Sequence, residues 1–480
     1  MVPVRALNVY IPFMPRRLIL LVCLCGILAA QPPQTPDTPA GRQFARWLEL
    51  FNRGQRDEFQ KFLKENDPEA QIDQEMDFRR MTGGFDLKKI EESTPNKLTG
   101  IVKERDSDNL ARFTMEVNPA PPHQIKGLGL RLIPPSPDAP SPARLSESEA
   151  IAALQAEIKK RTDDDRFAGT VMIAKGHKLV FSGAYGLADR EHQIPNRLDT
   201  RFRIGSMNKM FTATAVLQLA QAGKLKLTDP IGKYLADYPN KEVAAKVTVH
   251  HLLTHTGGTG DIFGPDFDKN RPTLRTLDSY VALYGQRPPA FEPGARFDYS
   301  NYGFILLGVL VEKVSGGSYY DYVREHIFHE AGMTRTDSLA EEEKVDGRSA
   351  GYMYQGGKWK PNDDTLPVRG TSAGGGYSTV ADLVSFANAV MEHKLLNAEY
   401  TELLTRGKVE RGPGGKYAYG FSDETAGGMR WLGHGGGAPG MNGELKFSPD
   451  SGYIIAVLAN LDPPAAGRIA DFIAARLPVH

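Results

Sequence analysis

The sequence contains little cysteine and carries no net charge. Its 480 residues include two cysteines, Cys23 and Cys25, and both lie within an N-terminal apolar segment. If that segment is removed, the remaining chain has no thiol, which excludes disulfide bonds, thiolate catalysis and cysteine-ligated zinc. The 58 Lys and Arg residues are balanced by 58 Asp and Glu residues. This balance lacks the basic excess typical of nucleic-acid-binding proteins, so we expect no nucleic-acid partner.

The N-terminal apolar run is too short for a membrane span. Residues 18–30 fall well short of the roughly 20 apolar residues that a transmembrane helix needs. Arg5, Arg16 and Arg17 precede the run, small residues end it, and a proline-rich stretch follows. This pattern predicts a secretory signal peptide over residues 1–30. We therefore expect an exported protein, periplasmic or secreted, with no membrane association beyond this segment; an uncleaved anchor is the less favoured alternative.

A first folded unit is predicted over residues 41–133. Phe44, Trp47, Leu48 and Phe51 follow the i, i+3, i+4, i+7 spacing of an amphipathic helix. Similar spacing predicts helices around residues 59–63 and 71–81, and strict alternation predicts strands at residues 111–117 and 126–132. Helices followed by a four-stranded meander resemble the small α+β cone domain of the nuclear transport factor type. No titratable cluster marks this unit for chemistry, so we expect a packing or substrate-gating appendage.

A proline-rich segment, residues 134–145, separates this unit from the rest of the chain. Its proline density excludes a helix or an inner strand and predicts a semi-rigid linker. In residues 146–480, hairpins are predicted near both ends, at 169–187 and 443–460, with helical patterns between them. Strands at both ends with helices in the middle predict an α/β (α+β) fold, an antiparallel sheet flanked by helices with a helical insertion. The cleft between the two parts would be the natural site.

Residues suited to catalysis begin at Ser206. This serine precedes a predicted helix over residues 210–222, and free N–H groups at a helix N-terminus favour developing negative charge. Lys209 lies one turn further on the same face, about 5 to 6 Å away between Cβ atoms. A serine and a lysine at this spacing are more often structural than catalytic. The pattern therefore needs partners elsewhere in the chain.

Two later motifs supply those partners. Tyr299 and Asn301 frame a Tyr-Ser-Asn triplet before an apolar helix, and His434 begins a His-Gly-Gly-Gly stretch before the last hairpin. The order Ser-x-x-Lys, Tyr-x-Asn, basic residue-x-Gly resembles the penicillin-recognising serine hydrolases. The similarity is greatest to the class C β-lactamase group, with its D-alanyl-D-alanine carboxypeptidases and related esterases, and it covers residues 146–480.

The resemblance implies a serine hydrolase that forms an acyl-enzyme on Ser206 and acts on esters or D-amino-acid peptides. Lys209 or Tyr299 would take the serine proton, and the residues leave that choice open; Lys209 is the cation available to stabilise a Tyr299 phenolate. Asn301 would hold Lys209 and a substrate amide. The backbone N–H groups of Ser206 and Gly437 would form the oxyanion hole, with Gly436 and Gly437 permitting a close approach to the substrate.

The third motif departs from the β-lactamase pattern. Those enzymes have lysine where His434 stands here. Lysine is a permanent cation, whereas histidine titrates near neutrality. We therefore expect His434 to bind a substrate carboxylate at a pH of about 5.5 and to lose this ability by a pH of about 8. A true antibiotic-resistance enzyme is accordingly not expected.

Three other patterns admit competing interpretations. The Gly-x-Ser-x-Gly around Ser372 lacks the flanking strand and helix of a nucleophile elbow, which favours a loop. The glycines at 435, 437 and 440 match a dinucleotide fingerprint, but a strand and not a helix follows them. His251 and His255 have zinc-pair spacing without a glutamate or a third ligand, which favours structural histidines. We therefore predict no metal and no cofactor.

A second class of function remains open at this point. The chain could be a catalytically weak or inactive ligand-binding protein on the same fold, with the N-terminal unit as its functional part. Intact Ser206, Lys209, Tyr299 and Asn301 favour the enzyme, because a decayed site usually loses one such residue. The expected partner is a small-molecule or peptide substrate, and the oligomeric state is not predicted.

Overall fold

The computed structural model of the chain describes residues 33–133, 142–412 and 415–479. The predicted leader, residues 1–30, and most of the predicted proline-rich linker lie outside these ranges. None of the helices in these ranges combines the length and the apolar character that crossing a membrane requires.

The N-terminal unit contains three helices and a four-stranded antiparallel sheet that share one hydrophobic core. Its elements are α1 (Pro39–Arg53), α2 (Arg56–Asn66), α3 (Ile72–Thr82), β1 (Phe85–Ser93), β2 (Lys97–Glu104), β3 (Leu110–Val117) and β4 (Ile125–Ile133). The strands follow chain order across the sheet. Phe44, Trp47 and Phe51 of α1 are buried, and Phe44 stacks on Phe113 of β3 with ring centroids 3.9 Å apart. The apolar residues of α1 thus face the hydrophobic core, as their helical spacing predicts.

The larger unit opens with a capped helix and a hairpin. Its first elements are α4 (Glu147–Asp163), β5 (Gly169–Lys175), β6 (Lys178–Tyr185), β7 (Leu187–Asp189), β8 (Ile194–Pro195) and β9 (Phe202–Arg203). Ser146 accepts the N–H of Glu149 while the Glu149 carboxylate accepts the N–H of Ser146, which satisfies two otherwise free donors. The helix therefore begins at a residue whose side chain caps it.

Helices dominate the middle of the larger unit. They are α5 (Asn208–Gln221), α6 (Lys241–Lys246), α7 (Val249–Leu253), α8 (Pro265–Asn270), α9 (Leu277–Tyr284), α10 (Asn301–Ser315) and α11 (Tyr319–Val323). After them come β10 (Tyr352–Gln355), β11 (Lys358–Pro361), β12 (Tyr377–Ser378), α12 (Val380–Met391) and α13 (Ala398–Thr405). The C-terminal elements are β13 (Val409–Gly412), β14 (Gly415–Tyr417), β15 (Ser422–Ala426), β16 (Met429–Ala438), β17 (Met441–Phe447), β18 (Tyr453–Ala459) and α14 (Ala465–Ala474).

Strands from both ends of the larger unit form one eight-stranded antiparallel sheet. Its order is β13-β14-β15-β16-β17-β18-β5-β6. The N-terminal hairpin closes onto the C-terminal strands because β18 pairs with β5. Helices α4 and α14 bury their apolar faces on one side of the sheet, and the helical region, with α5 and α10 at its centre, forms a second core on the other side. The predicted fold class, a sheet flanked by helices with a helical insertion, is confirmed.

The two units contact each other through the turn between β2 and β3. Asp106 in this turn forms ion pairs with Lys160, at 3.1 Å, and with Arg166, and its carbonyl oxygen accepts from Arg161 at 2.5 Å. Arg468 on α14 pairs with Glu104 at the end of β2. Asp106 and the Arg468–Glu104 pair are largely shielded from water, so these contacts hold the N-terminal unit against α4 and α14. Nothing in the residue pattern indicated this docking.

Candidate active site

Ser206 lies in a single helical turn, Gly205–Met207, immediately before α5. Gly205 has φ of 50°, a left-handed conformation that favours glycine, and a Cβ there would lie 3.1 Å from the backbone nitrogen of Gly437. The turn can therefore press against β16. Ser206 remains partly exposed in this arrangement, and a substrate can reach its hydroxyl.

The Lys209 amine is buried beside that hydroxyl. Its Nζ lies 3.2 Å from Ser206 Oγ, 2.7 Å from Asn301 Oδ1 and 2.6 Å from the carbonyl oxygen of Ala373. Burial lowers the pKa of Lys209 to about 7, although the Asp261 carboxylate opposes the shift. A neutral amine here can donate its two hydrogens to Asn301 and Ala373 and direct its lone pair at the serine O–H. Lys209 is thus placed to accept the serine proton.

Tyr299 is a second neighbour of Ser206, and its pKa shifts in the opposite direction from that of Lys209. Burial raises the pKa of its hydroxyl above the ordinary value, and a hydrogen bond with Ser206 opposes this only in part. Lys209 Nζ faces the ring, 4.7 Å from its centroid. Desolvation of the phenolate therefore disfavours the alternative in which Tyr299 is an anionic base. Tyr299 stays protonated at neutral pH.

Asn301 holds Lys209 and is itself held by Asp261. Asn301 is the first residue of α10, and its backbone N–H and its side-chain Nδ2 each donate to the Asp261 carboxylate at 3.2 Å. This two-point contact turns the Asn301 carbonyl oxygen toward Lys209. Sequence reasoning missed Asp261, because a single acidic residue in a glycine-containing loop carries no spacing signal that links it to Asn301.

His434 is buried and neutral, which corrects the expected pH-dependent role. Its Nδ1–H donates to the carbonyl oxygen of Gly435, so its Nε2 is the acceptor for the Tyr417 hydroxyl at 3.1 Å. Burial, together with the positive charge of Lys209, lowers the pKa of His434 to about 3. The imidazole therefore stays uncharged across the pH range in which it was expected to titrate. Its residue type did not reveal this, because the shift comes from the surroundings.

The glycines that follow His434 bring β16 against the serine turn. A Cβ on Gly436 would overlap the carbonyl oxygen of Ile204 and lie 3.1 Å from the backbone nitrogen of Ser206. Asn442 Nδ2 donates to the Gly436 carbonyl oxygen at 2.8 Å, which fixes the peptide plane whose other end is the Gly437 N–H. The Ser206 turn and Gly437 thus meet closely enough for their N–H groups to share one oxyanion. Asn442 is a second residue that the motifs did not indicate.

Ser372, the serine of the Gly-x-Ser-x-Gly pattern, lies in the interior of the protein. Ser372 is completely buried, and its Oγ has no hydrogen-bond partner among the described residues. The segment around it is a loop, as predicted, and not a strand-to-helix elbow. Its contribution to the site is a backbone one, through the Ala373 carbonyl that accepts from Lys209.

The two histidines with zinc-pair spacing serve separate structural contacts. His251 Nδ1 accepts the N–H of Thr248 at 3.3 Å, and His255 Nδ1 accepts the N–H of Ser300 at 3.1 Å. Across residues 33–133, 142–412 and 415–479, no group of three or more potential ligand side chains converges on a metal position. The glycines at 435–440 lie on β16 and in its turn to β17, not at the start of a helix.

The larger unit is similar to known proteins. The beta-lactamase family model matches residues 154–479. A Bacillus subtilis (strain 168) protein that bears the name penicillin-binding protein PbpX is 32% identical to this chain over 301 residues. The matched residues cover 62% of this chain and 71% of that protein. Esterase EstB of Burkholderia gladioli is 33% identical over 191 residues, covering 37% of this chain and 48% of the esterase.

A solved structure extends the similarity to three dimensions. A D-stereospecific amidohydrolase from a Streptomyces species superposes with a TM-score of 0.59 at 27% identity, covering 68% of this chain and 98% of that one. The family model spans most of the chain, and the chain belongs to the β-lactamase family of serine hydrolases.

Proposed function

We propose that the protein hydrolyses esters or D-amino-acid amides through an acyl-enzyme on Ser206, with Lys209 as the general base. The position of the Lys209 amine carries this proposal. It lies within 3.2 Å of the serine hydroxyl, is enclosed by two carbonyl oxygens, and has a pKa lowered to about 7. A general base works best when its pKa is near the working pH.

The reaction proceeds in two acyl transfers. As Ser206 Oγ bonds to the substrate carbonyl carbon, its proton passes to Lys209 Nζ, and the carbonyl oxygen becomes an oxyanion held by the N–H groups of Ser206 and Gly437. The bond to the leaving group then breaks, and the leaving oxygen or nitrogen takes a proton. Water attacks the resulting ester by the same steps in reverse, giving the acid and free Ser206.

Tyr299 acts as a proton donor and not as an anionic base. Its raised pKa keeps the phenol protonated, and the Ser206 side chain is one of the groups that shift this pKa, so the phenol is a neighbour of the reacting hydroxyl. A protonated phenol can hand a proton to the leaving group and recover it from Lys209. The lowered pKa of Lys209 and the raised pKa of Tyr299 support Lys209 as the base in this proposal.

Two observations support a substrate class: the similarity to known hydrolases and the uncharged state of His434. The esterase and the D-stereospecific amidohydrolase support esters and D-configured amides as substrates. A neutral His434 offers no positive charge to a carboxylate. We therefore expect penicillins and other β-lactams, which carry such a carboxylate, to acylate Ser206 more slowly than neutral esters do.

Covalent labelling tests this proposal directly. The chain is incubated with a fluorophosphonate probe and, separately, with a labelled penicillin, and the modified peptide is identified by mass spectrometry. We expect the fluorophosphonate on Ser206 and no label in Ser206→Ala, with Ser372→Ala as the matched control that labels normally. Labelling at any other residue contradicts the site assignment, and no labelling of the folded protein favours the ligand-binding alternative.

We also propose that the protein is exported, on the strength of the leader-like residues 1–30. Expression of the full chain, followed by fractionation and sequencing of the mature N-terminus, tests this. Export predicts a mature protein that begins after this segment and lies outside the cytoplasm. A cytoplasmic protein that retains the segment contradicts it.

A further inference from the structure

The loop that contributes the Ala373 carbonyl packs against the first turns of α5. Its residues 371–374 form a tight turn, in which the N–H of Thr371 donates to the carbonyl oxygen of Gly374 at 2.7 Å. Residues 371–373 are buried, so their carbonyl oxygens depend on donors inside the protein. Side chains of α5 supply a donor to each of them. The pairs are Asn208 Nδ2 with Thr371 at 3.0 Å, Lys209 Nζ with Ala373 at 2.6 Å, and Thr212 Oγ1 with Ser372 at 2.7 Å.

The Thr212 hydroxyl belongs to a hydrogen-bond chain with a defined direction. Its Oγ1 lies 2.7 Å from the Tyr319 hydroxyl, 2.7 Å from the carbonyl oxygen of Ser372 and 3.2 Å from that of Asn208. Carbonyl oxygens only accept, and Thr212 has a single hydroxyl hydrogen to give. The nearer carbonyl, that of Ser372, takes this hydrogen, and the buried Tyr319 hydroxyl donates to Thr212. The chain therefore ends on the loop.

Helix α10 closes the loop from the opposite side. A Cβ on Gly308 of α10 would lie 2.3 Å from Ser372 Oγ. Without the Thr212 hydroxyl, the Ser372 carbonyl would be buried between the two helices without that donor, which costs free energy and favours rotation of its peptide unit. The Ser372 and Ala373 carbonyls belong to consecutive peptide units that share one Cα atom, so rotation of the first also moves the second.

We propose that Thr212 is a positioning residue for the general base. By holding the Ser372 carbonyl, it fixes the next carbonyl, that of Ala373, as the acceptor that turns the Lys209 lone pair toward Ser206. The inference rests on the proposed function, because it concerns the base of the same reaction. Thr212 acts through the loop, so its loss should alter the base and leave substrate binding unchanged.

Loss of the Ala373 contact has two consequences for Lys209. A carbonyl oxygen stabilises the ammonium form, so the pKa of Lys209 should fall further below its ordinary value. The neutral amine would also keep Asn301 as its remaining carbonyl acceptor and direct its lone pair at Ser206 less often. Both acyl transfers use this amine, so both should slow.

Thr212→Val tests the proposal, because it keeps the shape of the side chain and removes the hydroxyl. Hydrolysis of p-nitrophenyl acetate by the full chain is measured from a pH of about 5 to about 9. At a pH of about 8, kcat should fall about tenfold while KM stays within about twofold. The inflection of kcat/KM near a pH of 7 should move to lower pH by about half a unit or more. Thr212→Ser keeps the hydroxyl and should restore both values.

Thr214→Val is the matched control. Thr214 is also completely buried in α5, and its hydroxyl donates to the carbonyl oxygen of Met210 in the same helix at 2.8 Å. This variant loses a buried hydroxyl without touching the loop, so its kcat and its inflection should match those of the wild type. All variants keep the charged and titratable groups around Lys209, which are Asp261, His255, His434 and Tyr299.

The outcomes separate this inference from the proposed function. If no ester is hydrolysed in a Ser206-dependent way, the proposed function fails and the inference fails with it. If hydrolysis depends on Ser206 but Thr212→Val keeps both kcat and the inflection, the inference alone is overturned, and an equal loss in Thr214→Val overturns it as well. If Thr212→Val does not fold, Thr371→Val decides by the same criteria, because the Thr371 hydroxyl accepts the N–H of Ala373 at 3.2 Å and fixes the same turn.

Discussion

Two short segments of this chain, Gly205–Lys209 and Gly370–Gly374, each combine glycine with a serine, yet the structure gives them opposite environments. Ser206 is partly exposed and hydrogen-bonded to the Lys209 amine. Ser372 is fully buried, and its Oγ has no partner among the described residues. The segments nevertheless meet at one amine, since Ala373 supplies a carbonyl oxygen to Lys209.

The difference lies in access and in a neighbouring base, which Ser206 has and Ser372 lacks among the described residues. A hydroxyl is a weak nucleophile until a base takes its proton. The second segment positions the Lys209 amine of the first through a backbone carbonyl, that of Ala373. A motif defined by side chains does not indicate such a contact. The following predictions test how far this contrast extends, beginning with the two serines themselves.

Ser206→Ala should abolish ester hydrolysis, with a loss of at least ~1,000-fold in kcat for p-nitrophenyl acetate, because the covalent nucleophile is gone. Ser372→Ala should keep activity within about threefold. It should also leave the free energy of unfolding equal or raised by up to about 1 kcal/mol, because it removes a buried hydroxyl without a partner. Steady-state kinetics and urea unfolding check both variants. Comparable losses of kcat in the two variants would show that the two serines do not differ in function.

The next prediction concerns the groups that touch Ser206. Lys209→Ala should lower the acylation rate at least ~100-fold, because it removes the base. Tyr299→Phe should also lower it by about 100-fold for poor leaving groups, such as alkyl esters, which need a proton to depart. For p-nitrophenol, which departs as an anion, the loss in Tyr299→Phe should be much smaller. Pre-steady-state bursts with both esters measure this, and equal losses would show that Tyr299 acts as a base.

The pH profile should report Lys209. Only the neutral amine accepts a proton, so kcat/KM for a neutral ester should rise with pH through an inflection near the Lys209 pKa of about 7. Asp261→Asn should move that inflection to lower pH, because the Asp261 charge raises the pKa of Lys209. It should also lower kcat by up to ~10-fold, since Asn301 loses a charged hydrogen-bond partner.

A control separates Lys209 from a second group that titrates nearby. Burial raises the pKa of Glu444 to about 7, and this carboxylate faces the opposite side of β16, against Gly435. The buried histidines beside Lys209, His255 and His434, stay neutral. Glu444→Gln should therefore keep the inflection. If the inflection disappears in Glu444→Gln and persists in Asp261→Asn at its original pH, Lys209 is not the titrating base.

The sequence predicts the elements and the motif residues well, because these depend on local patterns. The spacing of apolar residues from Phe44 to Phe51 predicts α1, and the hairpins at the two ends predict the sheet. The three ordered motifs predict that Lys209 and Asn301 lie near Ser206. Asp261 and the Ala373 carbonyl escape prediction, since they act through contacts between segments far apart in the chain. The docking of the N-terminal unit through Asp106 escapes it for the same reason.

The smallest expected effect concerns His434, whose role the sequence misjudged. At a pH of about 5, protonating a group with a pKa of about 3 costs close to 3 kcal/mol, so fewer than about one molecule in 50 carries the charge. The ratio of kcat/KM for a carboxylate-bearing ester to that for a neutral ester should therefore vary less than about twofold between pH values of about 5 and 8.5 in the wild type. His434→Gln, which keeps the site uncharged, should give the same flat profile. A wild-type ratio that rises as the pH falls, and that flattens in His434→Gln, would mean that the imidazole reaches substrate and titrates after all.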